Sequence, residues 1–346
     1  MAVTLKEIAV ESGVSPPVVS LVLNNKGQRF RPETRKRVLR AAHQLGYRPN
    51  VSARSMATGR FGCVALLLTT NREFSHLPVQ LLDGIQAELA DHELHLTIAQ
   101  IPDEKLTSEG FVPKILREYL ADGMLVNYHY RIPEKMTAII REHNIPSIWM
   151  NVRRDRNCVY PDEFAAGRRA VEHLVALGHR RIGFVDYSHG KAVLDESHFS
   201  AADRAGGYLA GMKDAGLTPR VVRGDGRSVP YVERLAFTRE WLTAAERPTA
   251  VACYSTDTAG AVMAAALKVG LDVPGDLSVM AFDDHASHML GAPMTTLLLP
   301  NFEMGREAVR MVLTRIEPPP KDLPAVAVDY GFKAGHTCAP CSAEAS

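Results

Sequence analysis

The 346-residue chain has no apolar run longer than a strand. Its longest runs resemble Val64 to Leu68, far short of the roughly 20 residues that span a bilayer. It also lacks a basic segment followed by an apolar one at its N-terminus, so the sequence predicts neither an export signal nor a membrane anchor. Cysteine is sparse. The five (Cys63, Cys158, Cys253, Cys338, Cys341) are odd in number and mostly scattered, which argues against a disulfide framework and for a reducing compartment, the cytoplasm. Catalytic signatures are missing as well: there is no Walker loop, no GxGxxG after a strand, no GxSxG and no pair of carboxylates in a catalytic setting. The 13 histidines show no HExxH-like spacing, and His189, His198, His285 and His288 read as loop residues. A single Cys338-Ala339-Pro340-Cys341 beside His336, without a second pair, is too weak to carry a metal or thiol function. The expectation is a protein that is not an enzyme and uses no cofactor and no metal.

What is present is a division of charge. Residues 1–60 hold eleven Lys and Arg against three acids, a net +8, and the other 286 residues hold 29 against 36, a net −7. The whole-chain +1 hides this split. A compact basic module suits a polyanion, because each phosphate neutralised by Lys or Arg releases condensed counterions. With 46% apolar and 23% charged residues the chain reads as globular, and its length fits a small domain followed by two larger lobes.

The basic segment spells three short helices. Thr4-Leu5-Lys6-Glu7 is a capping box; Leu5, Ile8 and Ala9 form one apolar face, and Gly13 ends the helix. Ser15 is placed to cap a second helix with Pro16 and Pro17 in its first turn, burying Val18, Val19, Val22 and Leu23. A third runs from Pro32 to Leu45, with Val38, Leu39, Ala42 and Leu45 inward and Gly46 as its stop. A second helix that follows a tight turn is the geometry that enters a DNA major groove.

These residues carry a resemblance. Val3-Thr4-Leu5-Lys6-Glu7-Ile8-Ala9, Gly13-Val14-Ser15, Val19-Ser20, Val22-Leu23-Asn24, Thr34-Arg35, Leu45-Gly46-Tyr47-Arg48-Pro49-Asn50 and Ala53-Arg54-Ser55 closely resemble the DNA-binding segment of the LacI/GalR family of transcriptional regulators. The resemblance implies phosphate contacts from Thr4, Ser15, Ser20 and Asn24, which set register. It puts Pro16, Pro17 and Leu21 at base-reading positions, where they offer contact with thymine methyl groups but no side-chain hydrogen bonds. Arg29 and Arg31 lie in a turn one residue longer than the family's, and Tyr47, Asn50 and Ala53 complete the implied DNA-facing set. Residues 50–57 match the family's hinge helix, too short to be stable alone, with Met56 in the place of its minor-groove wedge.

From Gly62 onward, buried strands alternate with amphipathic helices, which implies parallel sheets with right-handed crossovers. Strands are predicted at 63–68, 94–99, 123–127, 147–150, 182–186, 250–254 and 277–282, in two sheets beginning at Gly62 and near Arg181. This body resembles the bilobal type I periplasmic-binding-protein fold of the same family, most closely at Leu177-Gly178-His179-Arg180-Arg181-Ile182, Leu277-Ser278-Val279, Phe282-Asp283-Asp284 and Thr295-Thr296. The expected fold class is therefore α/β: a three-helix helix-turn-helix module (1–49), a hinge helix or linker (50–60), a bilobal domain with two parallel-sheet lobes (61–335) and a tail (336–346). Lobe 1 is expected at about 61–159 and 292–318, lobe 2 at about 160–291 and 319–335, with crossings near 160, 291 and 320. In open α/β sheets ligands sit beyond the carboxyl ends of strands, and the resemblance places effector contacts at Leu77, Asn127, Arg204, Thr256, Asp257 and Asp283. Tyr128 and Trp149 are either core residues or stacking faces for a sugar. The implied whole is a homodimeric repressor that reads a pseudo-palindromic double-stranded DNA operator and answers to a small-molecule effector, a carbohydrate by family likeness.

Overall fold

The computed structural model describes residues 3–24, 27–48, 59–70, 75–101, 114–118, 120–129, 132–189, 198–224, 228–289, 291–319 and 321–341. Asn50, Ala53 and Met56 lie outside them. The chain forms two compact units, Met1–Phe61 and Gly62–Ser346.

The first unit holds α1 (Leu5–Ser12), α2 (Pro16–Leu23), a 3-10 turn (Gly27–Arg29) and α3 (Pro32–Gln44). The capping box is formed: Thr4 Oγ1 accepts from the Glu7 amide at 3.4 Å and Glu7 Oε2 accepts from the Thr4 amide at 2.7 Å. Ser15 occupies the N-cap of α2 without a side-chain cap bond. The reason is local: Pro17 has no N–H, and the Val18 N–H already donates to the Ser15 carbonyl at 3.0 Å. Ile8, Val19, Val22, Val38, Ala41 and Ala42 make the core, with Val18, Leu23 and Tyr47 packed partly against it. Leu39 and Leu45, expected inward, are exposed. Helix α3 turns Val38, Ala41 and Ala42 to the core, so Leu39 stands about 100° away from Val38, and Leu45 already caps the helix end.

The second unit begins with β1 (Cys63–Thr69), α4 (Val79–Asp91), β2 (His95–Ile101), α5 (Lys114–Arg117), β3 (Gly123–Val126), α6 (Glu134–Glu142), β4 (Ser147–Met150) and β5 (Cys158–Pro161). Next come α7 (Glu163–Ala176), β6 (Ile182–Asp186), α8 (Phe199–Asp214), β7 (Arg220–Arg223), α9 (Tyr231–Leu242), β8 (Ala250–Cys253), α10 (Thr256–Lys268) and β9 (Ser278–Asp283). The hairpin β10 (His288–Met289) and β11 (Ala292–Pro293), then β12 (Thr295–Leu298), α11 (Asn301–Ile316), β13 (Val326–Val328) and β14 (Gly331–Lys333) complete it. One sheet has the order β13-β5-β4-β3-β1-β2 and the other β14-β12-β9-β8-β6-β7. Every pairing in the first is parallel. In the second, β14 runs antiparallel to β12 and forms an edge.

The sheets redraw the lobe boundaries. Strand β12 pairs with β9 of the second sheet, so the second crossing falls at about 299–300 rather than 291. Strand β13 pairs with β5 of the first sheet, so the third falls at 329–330, and Glu317-Pro318-Pro319-Pro320 joins two elements of lobe 1 instead of crossing. The tail beyond 335 is also part of lobe 2 as far as it is described. The Val279 N–H donates to the Thr337 carbonyl at 2.7 Å, His179 Nε2 lies 3.1 Å from the Ala339 carbonyl, and the Cys341 N–H donates to the Leu177 carbonyl at 2.8 Å. Cys338 is packed on the lobe 2 core, and burial pushes its thiol up to about 12.

Candidate functional site

The basic unit presents an outward face. Ser15, Pro16, Pro17, Asn24, Arg29 and Arg31 are exposed, while Ser20, Leu21 and Tyr47 are half-buried. Asn24 also caps its own helix, its Nδ2 donating to the Ser20 carbonyl at 2.9 Å, and Thr4 is engaged in the capping box. Arg29 stacks over Phe30 at 5.3 Å. On α3 the exposed Arg35, Lys36, Arg37 and Arg40 extend the positive surface. The charge count contained that signal, although no motif singled these four out.

In the second unit each sheet has a switch point, between β1 and β3 in one and between β6 and β8 in the other. The connections leaving these strands diverge there and open a crevice. A cavity of about 290 Å³ lies between the lobes at this level, and its walls include His76, His129, Arg204, Phe282, Asp283 and Asp284. Two of the six positions expected to contact an effector are thus wall residues, Arg204 and Asp283. The other four are placed otherwise.

Asn127 is fully buried: its Nδ2 donates to the His76 carbonyl at 2.9 Å, and its Oδ1 meets His129 Nε2 at 3.1 Å. It braces the wall from behind. Leu77 packs on the lobe 1 core, and its neighbours His76 and Pro78 line the cavity in its stead. The Thr256 hydroxyl donates to Asp283 and so orients that carboxylate. Asp257 is turned away and paired with Arg234; one residue along a helix rotates the side chain by about 100°. Tyr128 and Trp149 are core residues, Trp149 with the Arg154 guanidinium 3.8 Å from its ring centroid.

Arg204 enters the wall already engaged. Its Nε donates to Glu163 Oε2 at 2.5 Å, Nη2 to Glu163 Oε1 at 3.2 Å and to the Tyr330 hydroxyl at 2.9 Å, and Nη1 to the Tyr254 carbonyl at 2.7 Å. The rings of Tyr254 and Phe282 flank it at 4.6 and 4.8 Å. Glu163 follows the first crossing and Tyr330 stands at the third, so this guanidinium joins the cavity wall to two interlobe connections. Sequence reasoning found Arg204 but not Glu163 or Tyr330, which lie 41 and 126 positions away.

Burial pushes the Asp283 carboxyl up, with its hydrogen bond to Asp284 adding to the effect. Burial acts on Asp284 in the same sense, but hydrogen bonds with Asp283 and His285 outweigh it and hold that carboxyl below its usual range. The bond to Asp284 in turn raises His285. These three place ligand atoms within 4.8 Å of one another, yet the bonds among them already account for the cluster. His129 is driven down to about 3 by burial and by its neighbours His198 and His76. His198, expected in a loop, is the N-cap of α8: the Ser200 N–H donates to its Nδ1 at 3.3 Å, which leaves Nε2–H to donate across the lobes to the Asn151 carbonyl at 2.9 Å. The cavity thus offers carboxylates, the neutral imidazole of His129 and an apolar ring face, which suits binding of a small polar molecule. Among the described residues, no helix is long and apolar enough to cross a membrane.

Comparison with known proteins agrees with both units. The family described as bacterial regulatory proteins, lacI family, matches residues 4–50, and a periplasmic binding protein-like domain matches residues 171–338. The HTH-type transcriptional repressor PurR of Haemophilus influenzae (strain PittEE) is 29% identical over 323 residues, which are 90% of this chain and 91% of that protein. The HTH-type transcriptional repressor CytR of Escherichia coli (strain K12) is 27% identical over 326 residues, 91% of this chain and 90% of that one. Among solved structures, the lac repressor dimer bound to operator and the anti-inducer ONPF aligns with a TM-score of 0.73 at 22% identity, over 98% of this chain and 100% of that one. The CelR–cellobiose complex, a transcriptional regulator, aligns at 0.63 with 25% identity, over 97% and 99%. The relatives are repressors rather than enzymes. The chain belongs to the lacI family of bacterial regulatory proteins, as a DNA-binding transcriptional regulator with a periplasmic-binding-protein-like effector domain.

Proposed function

We propose that this protein is a cytoplasmic homodimeric repressor that binds a pseudo-palindromic operator and releases or tightens its hold when a small carbohydrate enters the interlobe cavity. The observation that carries the reading is the pairing, on one chain, of a +8 three-helix module with a separate body whose cavity sits at two sheet switch points. Phosphate charge is met by the exposed Arg29, Arg31, Arg35, Lys36, Arg37 and Arg40, while Ser15, Ser20 and Asn24 set register. Pro16, Pro17 and Leu21 read bases through apolar contact, and Met56 wedges the minor groove.

A two-fold operator requires two modules. Exposed apolar residues of lobe 2 support an association surface there: Tyr231, Val232 and Leu235 lie on one stretch of α9, and Val221 on the edge strand β7. In the cavity Asp283, held by Thr256, accepts from ligand hydroxyls beside the Phe282 ring; the structurally similar regulator CelR is seen in complex with cellobiose. Binding-site selection with the full-length protein on random duplexes tests the reading. An enriched palindrome, weakened binding by Met56→Gly and a retained effector response in that variant are expected; the absence of any enriched palindrome refutes it.

A further inference from the structure

The outward side of α2 is hydrocarbon where a DNA-reading helix needs hydrogen-bonding groups. Pro16 and Pro17 are exposed at its first two positions, and neither has an amide hydrogen. The Val18 and Val19 amides that follow both donate to the Ser15 carbonyl, at 3.0 and 3.2 Å. The first turn of α2 thus keeps none of the free amide donors that a helix start turns outward. Leu21 lies one turn beyond Pro17 on the same face; it is half-buried and stands outside the core that Val19 and Val22 help to make. Asn24 closes that face at its far end, with its Nδ2 directed back at Ser20, 2.9 Å from the carbonyl and 3.4 Å from the hydroxyl oxygen. The Ser15 and Ser20 hydroxyls both donate and accept, so they add grip without telling one base from another.

We propose that α2 recognises the C5 methyl groups of operator pyrimidines, and that 5-methylcytosine satisfies it as well as thymine does. The second helix of a helix-turn-helix brings its first residues to base edges in the major groove. Guanine, adenine and cytosine present hydrogen-bonding groups there, and thymine alone adds a methyl. Pro16, Pro17 and Leu21 have no hydrogen bond to offer, so the methyl is the one feature of a base edge that they can prefer. Burying it against them is favourable, whereas an amino or keto group set against the same surface loses water and gains no partner. Thymine and 5-methylcytosine carry the methyl on the same ring carbon and differ in groups to which this surface is blind. Cytosine without the methyl is refused. Methylation of cytosines under α2 therefore strengthens the hold on DNA, an input separate from the interlobe cavity. Affinity comes from the net +8 of the module, with Arg29, Arg31 and Arg35 exposed to meet phosphates, and that term favours no base. The inference rests on the operator reading given above and adds the chemical group that is read.

The test uses the full-length protein and a duplex that it enriches from random sequence. Each thymine of a half-site is replaced in turn by uracil, in both half-sites together, which removes the methyl alone and leaves the minor-groove edges as they were. One buried methyl is worth about fourfold in affinity, so losing a recognised methyl from both half-sites should weaken binding about 15-fold. The effect should be confined to neighbouring thymines. At those positions a pair of 5-methylcytosine with guanine should bind within about fourfold of the thymine duplex, and unmethylated cytosine should fall to the level of uracil. Leu21→Ala should shrink the thymine-to-uracil ratio and leave the salt slope unchanged, because no phosphate contact is lost. Equal binding of the thymine and uracil duplexes, or of methylated and unmethylated cytosine, overturns the inference and leaves the operator reading standing. Enrichment of no duplex at all overturns both.

Discussion

Asp283 shows how one side chain carries opposing demands. Burial penalises its charge, while the Thr256 and Ser287 hydroxyls and the Asp284 amide donate to its oxygens. A carboxylate held this way in a cavity is a strong acceptor for ligand hydroxyls. Replacing it with asparagine, Asp283→Asn, should weaken effector binding about 10–100-fold, the value of a hydrogen bond to a charged group, and should raise the ligand-free melting temperature at pH 7; calorimetric titration and thermal melts check the two arms.

The buried imidazoles act in the other sense. Burial lowers His129 to about 3 and lowers His198 as well. The folded state thus takes up fewer protons than the unfolded chain once the pH drops below the usual histidine value near 6.5. Their contribution is complete above that pH and is lost as the pH falls, by up to about 1.4 kcal/mol per pH unit for each group. Melts from pH 8 to pH 5 should show the loss setting in below about 6.5, ahead of the carboxylates. His198→Asn, which keeps an N-cap acceptor, should flatten the slope, and an unchanged slope would remove His198 from this account. Residues of this kind are hard to read from sequence. The Phe282-Asp283-Asp284 motif announced Asp283, but His76, His129, Asn151 and Asn301 come from four segments whose meeting only the topology decides.

At the scale of elements, each lobe contains, among the described residues, a helix pair packed backbone to backbone. A Cβ added at Gly84 of α4 would lie 2.0 Å from the Phe302 carbonyl oxygen at the start of α11, and one at Gly305 would lie 2.4 Å from that of Leu81. Between α7 and α8 the equivalents are Gly207 against the Phe164 carbonyl at 2.0 Å and Gly167 against that of Arg204 at 2.2 Å. The second pair bears on function, since this close approach brings Arg204 of α8 to Glu163 of α7. Gly207→Ala should cost about 1–3 kcal/mol as overpacking, seen as a fall in melting temperature together with a weakened effector response. A variant as stable as the parent would mean the helices part without strain.

Strands and helix ends were legible because their causes are local: apolar runs between turn residues, the Thr4-to-Glu7 box, Gly13 and Gly46. The phase of α3 was misread at Leu39, since two adjacent apolar residues cannot reveal which one faces the core. The lobe boundaries were misread because β12 and β13 are short strands whose sheet is chosen by distant partners, β9 and β5.

Within the second unit the lobes are joined by three crossings, and the contacts around the cavity include Arg153 paired with Asp203, His76 3.9 Å from Asp284, His198 with the Asn151 carbonyl, His129 edge-on to His198 at 5.8 Å and Tyr160 edge-on to Phe199 at 5.9 Å. An ion pair as exposed as Arg153–Asp203 contributes about 0–1 kcal/mol. A molecule that adds several hydrogen bonds to both walls would outweigh a contact of that size. On the proposed function, binding free energy moves the lobes and the basic module is what the movement governs. If the +8 module grips operator phosphates, affinity should fall steeply with salt, by about 10³–10⁵ between 50 and 200 mM for six to ten phosphate contacts. Charge removal at Arg31 or Arg35 should reduce that slope with little change in sequence preference.

The effector must then alter operator affinity by some factor, and thermodynamic linkage requires operator DNA to alter effector affinity by the same factor. Allosteric coupling between two sites is typically about 5–150-fold. Titrating the effector with and without saturating operator, and the operator with and without saturating effector, yields the factor twice. Agreement of the two within that range is expected. A factor of one in both titrations would show that the cavity and the DNA module share a chain but not a mechanism.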